Sequence, residues 1–174
     1  GCAFDVRYRN RLFRRFRLRL FGEFNIRNTL AATAMLHRLG VSEDDIRAGM
    51  EAFAGVRRRL QLRAEVAGIK ILEDFAHHPT AIRETLRAIR ESFRPERLWA
   101  IFEPRSATSR RNVFQHEIAD ALSLADFIAL PAIFRPEKIA AADRLDEALL
   151  VAELRARGRA AWNLETVEGI IQKV

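Results

Sequence analysis

The chain has 174 residues, of which 49% are hydrophobic and twelve are Phe, and this composition disfavours an intrinsically disordered protein. Its single Cys excludes an intrachain disulfide and a Cys-based zinc cage. The longest uncharged run, ten residues at 28–37, is about half of what a membrane-spanning helix needs. No secretory pattern opens the sequence, which indicates a soluble protein of a reducing compartment.

The net charge of +7 favours a polyanionic partner such as a nucleic acid, but the charge is unevenly distributed. Residues 1–63 hold 14 Lys and Arg against 6 Asp and Glu, whereas residues 64–174 hold 16 against 17. A basic binding surface is therefore expected only in the first third of the chain.

The first third opens with a predicted β-hairpin. Phe4–Tyr8 is a short candidate strand, and Arg15–Leu20 alternates strictly between arginine and apolar residues. A period of two puts the three apolar side chains of the second segment on one face and its three arginines on the other. The link between the strands is expected at Arg9–Arg14.

Two helices are predicted next. Ile26–Leu39 places Leu30, Ala34 and His37 on one stripe, and Gly40 is a typical residue to end the helix. The second helix begins after a capping Ser and ends before residue 55.

That capping residue is Ser42, and the helix that it starts is Glu43–Ala54. Beyond it, Leu60–Val66 and Ile69–Glu73 flank Ala67-Gly68, which predicts a second hairpin.

After this hairpin, helices and strands alternate. The predicted elements are a helix over Thr80–Phe93 with Pro79 at its start, a strand over Leu98–Phe102, a helix over Arg111–Leu122, a strand over Phe127–Leu130, a helix over Arg144–Arg157, a strand over Ala160–Asn163 and a helix over Glu165–Gln172. The alternation is typical of an α/β, Rossmann-like domain with a mostly parallel sheet and flanking helices. We expect the domain boundary near residue 55, giving segments 1–55 and 56–174.

Ligands of such sheets bind at the carboxyl ends of the strands. Three loops are predicted to leave these ends: Asp74–Pro79, Glu103–Arg110 and Pro131–Lys138.

The first of these loops carries a carboxylate and two imidazoles. Asp74 can accept hydrogen bonds from a sugar hydroxyl, and His77 and His78 can handle protons or an anionic substrate. The alternative is a helix start with Pro79 in its first turn and two surface histidines. A metal site is not expected, because adjacent residues rarely direct both rings to one ion.

The second loop combines Arg105 with the hydroxyls of Ser106 and Thr108, a set that suits a carboxylate or a phosphate. The alternative is a turn in which Arg105 pairs with Glu103.

Two further segments can serve a nucleotide. The run of arginines at 57–59 could clamp phosphate or could be a solvated linker. Asn25 and Asn28, three residues apart on one side of a helix start, could cap the helix or bind an adenine edge. No GxxxxGK[ST] loop is present, so these residues do not form a self-contained nucleotide hydrolase of that type.

Taken in order, these segments resemble the Mur ligases of bacterial cell-wall synthesis, and most closely their murein peptide ligase branch. The matching motifs are a GEHNxxNxxAA-like segment at 22–32 with Phe24 in place of His, an F-x-G-V-x-R-R junction at 53–59, DFAHHPTAI at 74–82, and EPRSNT at 103–108 with Ala107 in place of Asn. The resemblance implies that residues 56–174 are a Mur ligase C-terminal domain without its last strand. It also implies that residues 1–55 are the tail of a central ATPase domain whose phosphate loop and magnesium ligands, like the UDP-binding domain, lie outside this sequence.

The implied activity is ATP- and Mg²⁺-dependent amide formation in the cytoplasm. The resemblance implies that a recycled tripeptide, L-Ala-γ-D-Glu-meso-diaminopimelate, is joined to UDP-N-acetylmuramate, with no membrane and no nucleic acid involved. It implies that this portion binds the peptide and closes over ATP. The portion on its own is expected to be inactive.

The resemblance also implies a role for each candidate residue. Asn25 and Asn28 would lie by the adenine, Arg59 by the phosphates or ribose, Asp74 by the ribose hydroxyls, His77 and His78 at the reaction centre as catalytic residues, and Arg105, Ser106 and Thr108 by an acidic group of the peptide.

Two other functions remain open. One is a nucleic-acid-binding module, for which the arginines of the first hairpin would contact phosphates; they are Arg7, Arg9, Arg11, Arg14, Arg15, Arg17 and Arg19. The other is a degenerate ligase domain that serves as an interaction module.

Overall fold

The structure, a computed structural model, describes all 174 residues. Its elements are β1 (Cys2–Tyr8), β2 (Arg11–Leu18), α1 (Glu23–Arg38), α2 (Glu43–Ala52), β3 (Gln61–Val66), β4 (Ile69–Glu73), α3 (Pro79–Phe93), β5 (Trp99–Ile101), α4 (Gln115–Leu122), β6 (Phe127–Pro131), α5 (Glu147–Ala156), β7 (Ala160–Glu165) and α6 (Val167–Lys173). Residues 1–75 and 91–93 form one compact unit, the first unit, and residues 76–90 and 94–174 form the second unit.

In the first unit, β1 and β2 form the predicted antiparallel hairpin. The turn is shorter than expected, because Arg9 and Asn10 adopt left-handed φ values of 48° and 62° and close it in two residues. Residues 11–14, predicted to be the link, therefore belong to β2. The predicted faces are confirmed for Phe16 and Leu18, which are buried, while Arg15 and Arg17 are exposed.

Helix α1 buries a different stripe from the one that Leu30, Ala34 and His37 form. Leu30 is 48% exposed, and Ala34 and His37 are exposed as well, whereas Thr29 and Thr33 are buried. The buried stripe keeps the helical period but lies one residue earlier. A Thr hydroxyl can be buried when it bonds to its own helix, as the Oγ1 of Thr29 does by donating to the carbonyl four residues before it at 2.9 Å.

Helix α2 begins as predicted, with the Oγ of Ser42 accepting the backbone N–H of Asp45 at 3.2 Å. Its Ile46 joins Val6 and Phe16 in the buried core of this unit. The helix ends at Ala52, two residues earlier than predicted.

The second hairpin, β3–β4, turns at Ala67 and Gly68 as predicted, with φ values of 50° and 82°. Strand β4 pairs with β3 alone and is not hydrogen-bonded to the parallel sheet. The prediction that the loop at 74–79 leaves a parallel strand was therefore wrong. A two-residue turn makes local antiparallel pairing favourable at little cost in chain entropy.

The second unit contains the predicted parallel sheet, with strand order β5-β6-β7 and flanking helices. Helix α5 packs on β7 and against α4. The fully buried large side chains of this unit are Ile118, Leu122, Ile128, Leu130, Leu150 and Leu154. The α/β fold class is thus confirmed. Helix α4 begins at Gln115, four residues later than predicted, because the preceding residues Asn112–Phe114 form a 3₁₀ turn.

A half-buried ion pair links α3 to the start of the parallel sheet in this unit. The guanidinium of Arg90 donates to Oδ1 of Asp126 at 2.6 Å, and Oδ2 of Asp126 accepts the N–H of Leu98 at 2.7 Å. No helix in the structure is sufficiently long and apolar to cross a membrane.

Candidate functional site

The candidate adenine residues lie on the first two turns of α1. The structure places Gly22 at the N-cap, with no side chain capping the helix. Instead, Nδ2 of Asn25 donates to the carbonyl of Phe21 at 2.7 Å, so the side chain is held by the chain that leads into the helix. Its Oδ1 is left as an acceptor, and Asn28 is exposed one turn further on.

The arginine run at 57–59 is exposed, but contacts with the segment after β4 hold its loop. Arg58 binds Glu73 at 2.9 Å and places its guanidinium 5.2 Å from the centre of the Phe75 ring. The backbone is fixed as well, because Phe75 N–H donates to the carbonyl of Arg58 at 2.9 Å.

The carboxylate of Asp74 takes part in the same loop. Its Oδ2 accepts the N–H of Leu60 at 2.6 Å, and Arg58 and Leu60 have left-handed φ values of 59° and 48°. Arg59 lies between these two constrained residues and is exposed. The structure therefore brings Asp74 and the arginine run together in the first unit, as a nucleotide role requires.

The two histidines lie at the start of α3 in the second unit, and both are exposed. His78 is the N-cap: its Nδ1 accepts the N–H of Thr80 at 3.3 Å, and Pro79 occupies the first turn as predicted. An accepting Nδ1 places the proton of the neutral ring on Nε2, which is then a hydrogen-bond donor. The ring also packs edge-on against Phe114, at 4.8 Å between centroids, a contact that no local sequence pattern predicts.

The loop after β5 has a backbone that is fixed by a pair of serines. The Oγ of Ser106 donates to the Oγ of the fully buried Ser109 at 2.8 Å and accepts the Ser109 N–H at 2.9 Å. The hydroxyl of Ser106 therefore supports the loop. Arg105 and Thr108 are exposed on its surface.

Arg105 does not simply pair with Glu103, which lies 3.7 Å away. Its guanidinium carbon is also 4.3 Å from the centre of the Phe134 ring, and that of Arg135 is 5.0 Å from the same centre. Phe134 and Arg135 belong to the loop after β6, which was predicted to lie at the ligand-binding edge but had no site residue assigned. The signal available in the sequence was an aromatic and an arginine directly after a buried strand.

The loops after β5 and β6 are joined by their backbones. The N–H of Phe134 donates to the carbonyl of Pro104 at 3.3 Å, and Nη1 of Arg110 donates to the carbonyl of Phe134 at 3.0 Å. Arg105, Phe134 and Arg135, the arginine–phenylalanine cluster, therefore lie on a cross-linked edge of the sheet.

A carboxyl group lies against the same loop. Burial raises the pKa of Glu147, although its backbone hydrogen bond from Ile133 lowers that pKa. The charges of Glu165 and Asp146 raise the pKa of Glu147 further. The structure contains no group of three or more His, Cys, Asp or Glu side chains that could hold a metal ion.

Comparison with known proteins places this architecture in a family. Residues 58–174 match the family described as Mur ligase, glutamate ligase domain. The chain therefore belongs to the Mur ligase family.

The curated relatives are named UDP-N-acetylmuramate–L-alanine ligases. That of Salinibacter ruber is 38% identical over 131 residues, or 75% of this chain and 27% of the relative. That of Acetivibrio thermocellus is 31% identical over 171 residues, or 98% of this chain and 36% of the relative. The chain thus spans about a third, or less, of the length of these relatives.

Two solved structures are similar in fold. The UDP-N-acetylmuramate–alanine ligase of Thermotoga maritima superimposes with a TM-score of 0.74 at 24% identity, over 92% of this chain and 34% of that one. The murein peptide ligase of Psychrobacter arcticus gives a TM-score of 0.64 at 31% identity, over 92% of this chain and 32% of that one.

Proposed function

We propose that this chain is part of an ATP-dependent ligase that joins a cell-wall tripeptide, L-Ala-γ-D-Glu-meso-diaminopimelate, to UDP-N-acetylmuramate. The main observation behind this proposal is the arginine–phenylalanine cluster at the carboxyl ends of β5 and β6, where an acidic peptide can bind. The unbroken DFAHHPTAI run at 74–82, which resembles the murein peptide ligases, supports the same assignment.

In the proposed reaction, the muramate carboxylate takes the γ-phosphoryl group of ATP to give an acyl phosphate and ADP. The free amine of the tripeptide then attacks the acyl carbon, phosphate leaves, and the amine loses a proton as the amide forms. The contribution of this chain is to bind and orient the amine substrate and to supply part of the nucleotide site. We assign no step of the reaction to a magnesium ion bound by residues of this chain.

We assign residues 1–55 to the tail of a central ATPase domain and residues 56–174 to the C-terminal domain. The similarity to the Acetivibrio thermocellus ligase over 98% of this chain supports the first assignment, because it extends well beyond the matched family domain. In this proposal Asn25, Asn28, Arg59 and Asp74 serve the nucleotide.

The proposed roles of the two histidines differ. His78 donates from Nε2 to the reacting groups while its Nδ1 accepts the first free N–H of α3. His77 is the candidate proton acceptor for the attacking amine, because it is exposed at the same helix start. Arg105 and Thr108 bind the peptide from the loop after β5.

A second candidate is a ligase that adds L-alanine to UDP-N-acetylmuramate, and the names of the curated relatives favour it. That of Nostoc punctiforme is 43% identical over 119 residues, 68% of this chain. The two candidates share the chemistry and differ in the amine that is bound.

Calorimetric titration of the chain with the tripeptide, L-alanine and ATP separates these candidates. We expect saturable binding of the tripeptide and no measurable binding of L-alanine. Preferential binding of L-alanine would establish the second candidate, and binding of neither amine would overturn both. We also expect no ATP turnover by these 174 residues, since they contain no phosphate-cradling loop.

A further inference from the structure

The arginine–phenylalanine cluster holds two guanidinium groups on one ring, and only that of Arg105 has an ion-pair partner. Arg105 and Arg135 both lie over the Phe134 ring, so their guanidinium carbons are no more than about 9 Å apart. That separation is close to the Debye length of about 8 Å at physiological salt, and the mutual repulsion is therefore only partly screened. The carboxylate in contact with the cluster is Glu103, 3.7 Å from Arg105.

The position of Arg135 is set by the fold rather than by a counter-ion. Its φ of 50° is a left-handed conformation that a non-glycine residue adopts at a cost in conformational energy. Its carbonyl accepts Nη1 of Arg110 at 3.4 Å, while Pro136 follows and begins a short 3₁₀ turn. The loop therefore holds a second cation beside Arg105 before any ligand is present.

Two guanidinium groups on one ring suit a ligand with two carboxylates. Each guanidinium can bind one carboxylate through two parallel N–H···O bonds. Two bound carboxylates offset the repulsion between the two guanidinium groups more fully than one carboxylate does. The proposed tripeptide carries one free carboxylate on its D-glutamate and two on its diaminopimelate. L-Alanine carries only one.

We propose that Arg135 is a specificity-determining residue that binds a second carboxylate of the amine substrate while Arg105 binds the first. The site thereby selects an acidic peptide over a single neutral amino acid. This inference rests on the proposed function, because it assigns the amine substrate to the same loops.

The test compares Arg135→Gln with Arg94→Gln in the full chain. Arg94 is a matched control, since it is also an exposed arginine of the second unit with a left-handed φ, 45°. The ligands for calorimetry are the tripeptide and two derivatives, one amidated at the D-glutamate α-carboxyl and one amidated at both carboxyls of the diaminopimelate. Arg135→Lys keeps the charge but loses the paired geometry, so we expect intermediate binding.

We expect Arg135→Gln to weaken tripeptide binding about tenfold and Arg94→Gln to leave it unchanged. For one of the two amidated ligands, Arg135→Gln should cause no further loss, because the partner of Arg135 has already been removed. Wild-type binding by Arg135→Gln, or an equal loss with all three ligands, would overturn the inference and leave the proposed function standing. Failure of the wild-type chain to bind the tripeptide would overturn both.

Discussion

The two arginine-rich regions of the molecule differ in how their charges are arranged. The hairpin at residues 2–18 displays most of its arginines on an exposed surface, where Arg15 pairs with Asp5 at 2.7 Å, while the half-buried Arg14 pairs with Asp44 at 2.6 Å. The loops after β5 and β6 contain fewer arginines, but two of them converge on one ring. The net charge of a segment therefore identifies a basic surface, whereas convergence on a common contact identifies a candidate site.

The largest expected effect is on stability, and it tests the core that the arginine-rich hairpin covers. Phe16 is fully buried with Val6 and Ile46, so Phe16→Ala should lower the free energy of unfolding by about 3–5 kcal/mol. Phe53→Ala is the matched control, because Phe53 is 46% exposed and should cost much less. Chemical denaturation of both variants measures the difference, and equal losses would contradict the packing described for the hairpin.

A half-buried arginine that is paired with a carboxylate provides the next contrast. Burial tends to raise the pKa of Asp126, but the hydrogen bonds from Arg90 and the Leu98 N–H, together with the charges of Arg90 and Arg159, lower it below its ordinary value. The stabilisation is thus present at neutral pH and is lost as the pH falls below about 4 towards the lowered pKa.

Asp126→Asn should therefore lower the free energy of unfolding at neutral pH by about 1–3 kcal/mol and should reduce its fall between neutral and acidic pH. Denaturation measured across that range checks both expectations. A variant with the same acid slope as the wild type would show that Asp126 is not responsible.

A smaller effect is expected when the shared ring of the cluster is removed. Phe134→Leu keeps an apolar side chain but loses the aromatic face, so tripeptide binding should weaken by about 1 kcal/mol, or fivefold. Phe75→Leu is the control, because its ring contacts Arg58 in the first unit. Calorimetry should show unchanged tripeptide binding for this control, and an equal loss in both variants would argue against a special role for the cluster.

The smallest effect is expected at the exposed hairpin arginines. Arg17→Gln should change the free energy of unfolding by less than about 0.5 kcal/mol and should not alter tripeptide binding. If the hairpin binds nucleic acid, the same change should make the slope of log affinity against log salt concentration less steep, by the contribution of about one phosphate contact. Nanomolar binding to DNA or RNA at physiological salt would favour the nucleic-acid function over the proposed one.

The features that the sequence predicted correctly depend on local chemistry. The cap at Ser42, the proline at the start of α3 and the Ala67-Gly68 turn are each determined by a few neighbouring residues. The alternation of apolar strands with helices was sufficient to predict the parallel sheet.

The features that were missed depend on contacts between distant residues. Leu30 and Thr29 are adjacent in α1, and either stripe has the helical period, so packing alone determined which was buried. The pairing of β4 with β3 and the contact of Arg105 with Phe134, 29 positions away, are likewise absent from any local pattern. The roles of the individual site residues stay predictions.

The aromatic residues of the parallel sheet give the molecule an intrinsic pair of spectroscopic reporters. Trp99 and Trp162 both belong to the second unit and stack with centroids 5.7 Å apart, in contact with Phe127, whereas the single Tyr, Tyr8, belongs to the first unit. Tryptophan emission and the near-ultraviolet dichroism of the stacked indoles thus follow the second unit, while tyrosine absorbance follows the first. The melting of each unit can be recorded in one unlabelled sample.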